Sequence, residues 1–306
     1  MNVIIDMSLA GKPLRTLLQH HLSLSAKMIA RLKRHEHGIM VNGQRVTVRY
    51  VLQEGDEVIL LTENTDAEDR TSKIRPVSLP LDILYEDDSI LLLNKPAYMP
   101  THTSHGHYED TLSNAVAYYY QQKGQPFVFR PINRLDRNTS GLVLTAKHKL
   151  SAAFLSSAMQ TGQIQKTYIA ILDGEMTDKT GTIQTYMRRT GDSVITREVC
   201  DPCEQAEWAI TDFEILATCS QYSVVCARPR TGRTHQLRVH FSHVGHPICG
   251  DTLYGSTTAL IGRQALHARS LTFPDPHSHQ LFTFKAPLPD DMLSLIQTLT
   301  IKESEL

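Results

Sequence analysis

The chain has 306 residues and a formal net charge of −1, and hydrophobic residues make up 41% of it. A length prior of about 150 residues per domain predicts two domains, and the composition excludes a disordered chain, a collagen or a coiled coil. No apolar run approaches the about 18 residues of a membrane-spanning helix, and Asp6 comes before a signal-peptide core could form. Five thinly spread cysteines indicate reduced thiols. We therefore expect a cytoplasmic protein.

Basic side chains are concentrated near the N-terminus. Residues 11–50 contain eight lysines and arginines but a single acid, Glu36. A basic segment in a neutral chain favours a polyanionic partner, although a solvated helix face is the alternative.

The same segment predicts two short helices. Leucines over residues 14–18 fit one apolar helix face. Ser25 is typical of an N-cap, apolar residues then recur at helical spacing over residues 26–37, and Gly38 is expected to end that helix.

A hairpin and a strand complete this N-terminal part. Asn42-Gly43 between apolar residues predicts a two-residue hairpin, and residues 57–61 predict a strand. Over about residues 10–62 the pattern resembles the S-four-like RNA-binding domain first known from a ribosomal protein, and we assign residues 1–62 to it. The resemblance implies that bases of the second helix contact RNA, namely Lys27, Arg31, Lys33 and Arg34.

The remainder is predicted to be a linker, residues 63–80, and a larger domain, residues 81–306. Its predicted strands cover residues 83–85, 90–93, 142–145, 167–172, 208–216 and 222–227, and its helices residues 111–122, 150–160 and 234–243. Strands outnumber helices without regular alternation, so the pattern indicates an α+β fold with a mainly antiparallel mixed sheet.

One acidic residue stands out in this larger domain. Asp136 lies between Arg134 and Arg137, just before a predicted strand. Guanidinium groups on both sides would keep its carboxylate ionised. From these residues alone, a structural aspartate that closes a turn and a catalytic aspartate are both possible.

A second segment, residues 228–240, contains four arginines and no acid. Gly232 permits a sharp turn, and Thr234 is expected to cap a helix whose N-terminus favours anions. Arg233 could then reach a phosphate or a carboxylate. His235 and His240 are interpreted as structural side chains rather than metal ligands.

These segments carry a family resemblance. Residues 133–141 look like the signature loop of RluA-type pseudouridine synthases, residues 166–174 like their second motif and residues 232–240 like their third. Shorter matches in the same order are residues 92–96, 246–255 and 266–268, so that the resemblance covers about residues 82–288.

The resemblance implies that uridine in RNA is isomerised to pseudouridine without metal or organic cofactor. The base must leave its stack for this chemistry. Asp136 takes the family's catalytic role, either as a nucleophile at C1′ or as a base that removes a 2′ proton. The resemblance also implies that Arg233 forms a salt bridge with Asp136 and that Tyr168 packs on the uracil and assists proton transfer at C5. Arg134 would fill the position that the flipped base vacates, and Leu237 would pack beneath the pocket.

The chain departs from the family pattern at two positions. Asn133 stands where many members have His, and Tyr98 where they have Gly. The histidine-rich residues 102–107 are interpreted as an RNA-facing loop rather than a zinc site, the lone Cys-x-x-Cys of residues 200–203 as neither zinc nor redox site, and Trp208 as a core residue.

Large-subunit ribosomal RNA is the expected substrate, with transfer RNA as the alternative. A non-catalytic RNA-binding or ribosome-assembly factor is the rival of another class, and an aspartate-based hydrolase would lack a second carboxylate nearby in sequence. We expect a monomer.

Overall fold

The computed structural model describes residues 1–298 apart from residues 23, 62–73, 192 and 194. Within the N-terminal part, the elements are β1 (Asn2–Ile4), α1 (Leu14–Thr16), a π-helical turn (Leu17–His21), α2 (Ala26–Arg34), β2 (Ile39–Val41), β3 (Gln44–Arg45) and β4 (Glu57–Leu60). The four strands form an antiparallel sheet in the order β1-β4-β2-β3. The predicted helices, hairpin and final strand are present, and β1 is an addition to them.

The second helix ends earlier than the sequence predicts. The predicted cap is confirmed, because the Ser25 side chain accepts a hydrogen bond from the Met28 backbone nitrogen at 3.2 Å. The helix stops at Arg34. Gly38 is needed for a different reason, since a Cβ there would lie 1.9 Å from the carbonyl oxygen of Leu32.

The predicted hairpin is confirmed at Asn42-Gly43, which joins β2 to β3. The two residues have φ values of 49° and 74°. Positive φ at both central positions is what a two-residue turn of type I′ requires.

The larger part of the chain is built around one sheet. Its strands are β5 (Ile83–Glu86), β6 (Ile90–Lys95), β7 (Arg130–Pro131), β8 (Ser140–Ala146), β9 (Gln165–Asp173), β10 (Thr180–Arg189), β11 (Arg197–Cys200), β12 (Glu207–Cys219), β13 (Tyr222–Pro229), β14 (Leu266–Pro274) and β15 (Leu281–Lys285). Its helices are α3 (Leu112–Gln122), α4 (Lys149–Gln160), α5 (Gln236–His243) and α6 (Asp290–Thr298).

The strand order is β11-β10-β12-β13-β9-β14-β8-β6-β5, with β15 paired to β14 and β7 paired to β8. Among the described strands, the one parallel pair is β8 with β14. The predicted α+β class with a mainly antiparallel mixed sheet is therefore confirmed. The six predicted strands and three predicted helices are present with small shifts at their ends, whereas the sequence patterns did not single out β7, β10, β11, β14 and β15.

The prediction for Trp208 is wrong. Its side chain is 38% exposed and packs against Tyr186 of the neighbouring strand, with ring centroids 4.7 Å apart. Alternate residues of a strand face opposite sides of the sheet, and in β12 Ala209 and Thr211 occupy the buried side.

The N-terminal part packs against α4. Leu150 of that helix belongs to the hydrophobic cluster that contains Leu17 and Leu18, and all three side chains are buried. At the same contact His277 Nδ1 lies 3.4 Å from the carbonyl oxygen of Asn2. Residues 63–73 of the predicted linker and residues 299–306 lie outside the described residues.

The parallel contact between β8 and β14 depends on a glycine. Gly141 has a φ of 113°, and a Cβ there would lie 2.3 Å from the carbonyl oxygen of Ala268. The close approach fixes the start of β8, immediately after the loop that carries Asp136.

No helix of the described residues is long and apolar enough to cross a membrane.

Candidate active site

The fold brings five of the predicted site residues to one cavity of about 580 Å³, within the usual range for ligand sites. The five side chains that line it are Arg134, Asp136, Tyr168, Arg233 and Leu237. The other four predicted RNA contacts are on α2, outside this lining: Lys27, Lys33 and Arg34 are exposed, and Arg31 is half-buried.

Asp136 lies in the loop between β7 and β8, with its side chain 28% exposed. The backbone of the preceding residue, Leu135, is held by Thr101, whose hydroxyl donates to the Leu135 carbonyl at 2.9 Å and accepts from its nitrogen at 3.2 Å. The loop is therefore fixed on a neighbouring segment while the carboxylate stays open to the cavity.

A buried lysine also holds the loop that carries Asp136. Lys95, which is fully buried, donates to the carbonyl oxygens of Pro96, Met99 and Arg137 at 2.8, 2.8 and 3.1 Å. Three acceptors match the three donors of an ammonium group. Burial lowers the pKa of Lys95 to about 7, and the negative charge of Asp136 acts in the opposite direction.

The salt bridge predicted between Asp136 and Arg233 is replaced by another. Arg238 Nη1 lies 3.4 Å from Asp136 Oδ2. Its Nε and Nη2 donate to both oxygens of the buried Asp251 at 2.6 and 2.8 Å. Such a bidentate pair fixes the plane of the guanidinium, so Asp251 determines where Arg238 meets Asp136.

Arg233 instead lies at the edge of the cavity. Its Nη1 pairs with Glu207 at 2.8 Å, and its Nε donates to the carbonyl oxygen of Trp208 at 3.1 Å. The pairing of Arg233 with Asp136 is therefore a wrong prediction, because the segment turns before the helix begins and directs this side chain toward β12.

The start of α5 also differs from the prediction. The N-cap position is taken by His235, with φ at 59°, rather than by Thr234. Its Nδ1 lies 2.8 Å from the Tyr254 hydroxyl and its Nε2 lies 3.9 Å from Asp136 Oδ2. Burial lowers the pKa of His235 while the Asp136 charge opposes this. His240 contacts the hydroxyl groups of Thr185 and Thr211.

Tyr168 forms part of the cavity wall. The residue lies on β9 and is buried. Burial and the nearby charge of Asp136 raise the pKa of its phenol far above its ordinary value. Tyr168 is consequently a protonated phenol throughout the neutral range, able to donate a hydrogen bond into the cavity.

The structure gives a role to Asn133, the first departure from the family pattern, but none to Tyr98, the second. Asn133 is buried, donates to the Leu142 carbonyl and accepts from the Leu144 nitrogen, each at 2.9 Å. Its amide thus joins the loop to β8. Tyr98 is half exposed and has a φ of 65°, which is strained for a side chain with a Cβ.

The histidine-rich residues 102–107 divide between two surroundings. His102 lines the cavity, and burial and the charge of Arg134 lower its pKa. His107 pairs with Asp110 at 2.6 Å. Across the described ranges, no group of three or more His, Cys, Asp and Glu residues has an arrangement that could hold a metal ion.

Sequence reasoning missed Arg238, Asp251 and Tyr254 as members of the site. Arg238 lies over the ring of Tyr254, with its Cζ 4.9 Å from the ring centroid. A signal did exist, because Arg238 was one of the four arginines of the acid-free segment. Its acidic partner, however, is thirteen residues away and follows a turn that no local pattern relates to it.

Comparisons with known proteins identify the family. Residues 89–243 match the RNA pseudouridylate synthase family. An uncharacterized RNA pseudouridine synthase of Bacillus subtilis, YjbO, is 39% identical over 276 residues, which is 90% of this chain and 95% of that protein. Ribosomal large subunit pseudouridine synthase D of Haemophilus ducreyi is 34% identical over 86% of this chain and 82% of its own length.

A solved structure shows the same fold. Human RNA pseudouridylate synthase domain containing 1 superposes with a TM-score of 0.57 at 26% identity, covering 73% of this chain and 96% of the human one. The fold, the cavity and these relatives place the chain in the RNA pseudouridylate synthase family. It is an isomerase that acts on RNA.

Proposed function

We propose that this protein converts specific uridines of large-subunit ribosomal RNA to pseudouridine and that Asp136 acts on the ribose of the target. The observation that carries the proposal is the partly exposed carboxylate of Asp136, which faces a cavity of nucleotide size beside Arg238 and Tyr168. The choice of RNA is supported by relatives such as the ribosomal large subunit enzyme of Haemophilus ducreyi.

The reaction is an isomerisation and needs neither oxidant nor reductant. The N1–C1′ bond breaks, the uracil turns, and a C5–C1′ bond forms, while the C5 proton is lost and N1 gains a proton. Asp136 starts this sequence either by attack on C1′ or by removal of the 2′ proton. Its orientation by Arg238 limits the cost of reaching the reactive geometry.

The cavity wall suits a uracil that has left its stack. Tyr168 offers an aromatic face and a protonated hydroxyl group for proton transfer at C5, and Leu237 is a buried apolar side chain beneath it. Arg134, exposed at the edge, fills the position that the flipped base vacates. Arg233 acts at the same edge on the RNA rather than on Asp136.

The N-terminal part adds binding energy as an S-four-like RNA-binding domain. Lys27, Lys33 and Arg34 are exposed on α2, and cations that neutralise phosphates release counterions from RNA. In this proposal the enzyme works as a cytoplasmic monomer.

The experiment compares Asp136→Asn with Asp178→Asn, an exposed aspartate in the turn before β10. Each variant is expressed in cells from which the original gene has been deleted, and pseudouridine is mapped in their total RNA. Pseudouridine formation on ribosomal RNA transcripts is also measured in vitro. We expect Asp136→Asn to abolish pseudouridine formation while its RNA affinity stays within about tenfold of the original, and Asp178→Asn to be fully active.

Each other outcome revises a defined part of the proposal. Turnover by Asp136→Asn would contradict the role of the carboxylate. A site lost from transfer RNA alone would replace the ribosomal substrate. RNA binding without any lost site would indicate a non-catalytic factor.

A further inference from the structure

The cavity contains a cation that the proposed mechanism does not use. Lys166 lies on β9 two residues before Tyr168, so both side chains face the cavity from positions about 7 Å apart along the strand. Its ammonium group is next to the turn before α5, because a Cβ at Gly232 would lie 3.6 Å from Lys166 Nζ.

Two of the three arginines that line the cavity have acidic partners, and the third, Arg134, is exposed to water. Arg238 is paired with Asp251, and Arg233 with Glu207. Within the part of the chain that the structure describes, Lys166 Nζ has neither a hydrogen-bond acceptor nor a carboxylate. Burial lowers the pKa of Lys166, and no charged neighbour opposes that shift.

A half-buried ammonium without a partner is unfavourable in the free protein. Removal from water weakens the charged form, and an anion supplied by a ligand restores the lost interaction through a charge-assisted hydrogen bond. The uracil and the ribose of a nucleotide are neutral, whereas its phosphate is an anion. The separation between Tyr168 and Lys166 is one that the ribose of a single nucleotide can bridge.

We infer that Lys166 binds an RNA phosphate that flanks the flipped uridine and so fixes the ribose over Asp136. The inference rests on the proposed function for the identity of the flipped base. It assigns Lys166 to substrate positioning, so its loss should weaken binding of RNA through one phosphate.

The test begins with binding of a short oligouridylate at several salt concentrations, which requires no turnover. Lys166→Met keeps the length of the side chain but removes the charge, and Lys166→Arg keeps the charge. The matched control is Lys179→Met, at an exposed lysine immediately before β10. We expect Lys166→Met to weaken binding about tenfold or more and to lower the salt slope by about 0.7, with Lys166→Arg and the control close to the original protein.

A second arm identifies the phosphate. Methylphosphonate replaces one linkage at a time around the uridine modified by the original enzyme. We expect the original protein to lose affinity at one linkage flanking that uridine and Lys166→Met to lose none there. An unchanged salt slope, or equal losses at every linkage in both proteins, would overturn the inference. If the salt slopes of the original protein and Lys166→Met differ as expected but the original protein forms no pseudouridine, the proposed function is contradicted instead.

Discussion

Arg238 connects two carboxylates, with Asp136 at 3.4 Å from its Nη1 and Asp251 bound to both other nitrogens. Only the first carboxylate is open to the cavity; the second is 2% exposed. The buried pair thus positions a cation whose remaining donor faces the reactive group.

Replacement of Arg238 should impair the reaction more than replacement of Arg233. In Arg238→Lys the charge remains, but an ammonium cannot bind Asp251 bidentately and still reach Asp136. We expect kcat to fall about a hundredfold. In Arg233→Lys the changes are confined to the exposed pair with Glu207, worth at most about 1 kcal/mol, and the hydrogen bond to the Trp208 carbonyl oxygen.

Single-turnover rates and Kd values for both variants separate these effects. Thermal unfolding of Arg238→Lys serves as the control, because a buried Asp251 without its partner also destabilises the fold. A larger loss of kcat in Arg233→Lys than in Arg238→Lys would favour the pairing expected from the sequence.

Gly141→Ala should destabilise the protein by at least about 3 kcal/mol. The added methyl would lie 2.3 Å from the carbonyl oxygen of Ala268, and the φ of 113° is unfavourable for alanine. Gly124→Ala is the matched control, since Gly124 also has a positive φ but no atom within 4 Å of the added Cβ. We expect the control to cost about 1 kcal/mol, as measured by urea unfolding. Equal costs would show that the β8–β14 contact is not the constraint.

His148 should make the fold sensitive to acid. Burial, assisted by the nearby N-terminal amine, lowers the pKa of His148 to about 3 in the folded protein. At pH values between about 3 and the ordinary histidine pKa of about 6.5, the unfolded chain binds a proton that the folded chain does not. The free energy of unfolding therefore falls as pH decreases through this window, by up to about 1.4 kcal/mol per pH unit.

His148→Asn tests this dependence and retains a side chain that can cap α4, as His148 does by accepting from the Ser151 nitrogen. Urea unfolding between pH 7.5 and 4.5 should show a shallower slope for this variant (on the order of one proton less). His240 and His267, whose pKa values burial lowers to about 4, contribute in the same direction and remain. His105→Asn, at an exposed loop position, is the control; a slope unchanged in His148→Asn would contradict the assignment.

The exposed bases of α2 should carry part of the salt dependence of RNA binding. Joint replacement of Lys27, Lys33 and Arg34 by Gln is expected to lower the slope of log K against log salt by about two. The control replaces Lys179 and Lys285, two exposed lysines elsewhere on the chain. An unchanged slope in the first variant would show that α2 is not an RNA-binding surface.

Removal of the whole N-terminal part would also disturb the larger domain. Leu150 of α4 is buried in the core of the N-terminal part, so a truncated chain would expose apolar surface on the larger domain. Loss of RNA binding by that chain would then have two explanations.

The sequence alone determined the order of the motifs, the α+β class and five of the side chains that line the cavity. Local patterns were sufficient for these, since hairpins, helix caps and family motifs depend on near neighbours, as at Asn42-Gly43 and Ser25. Tertiary structure decided the partner of Asp136, the exposure of Trp208 and the packing of Leu150 against the N-terminal part. The direction of an arginine side chain depends on where its helix begins and which carboxylate lies beyond it, and the left-handed conformation of His235 and the distant Asp251 are set by the folded chain.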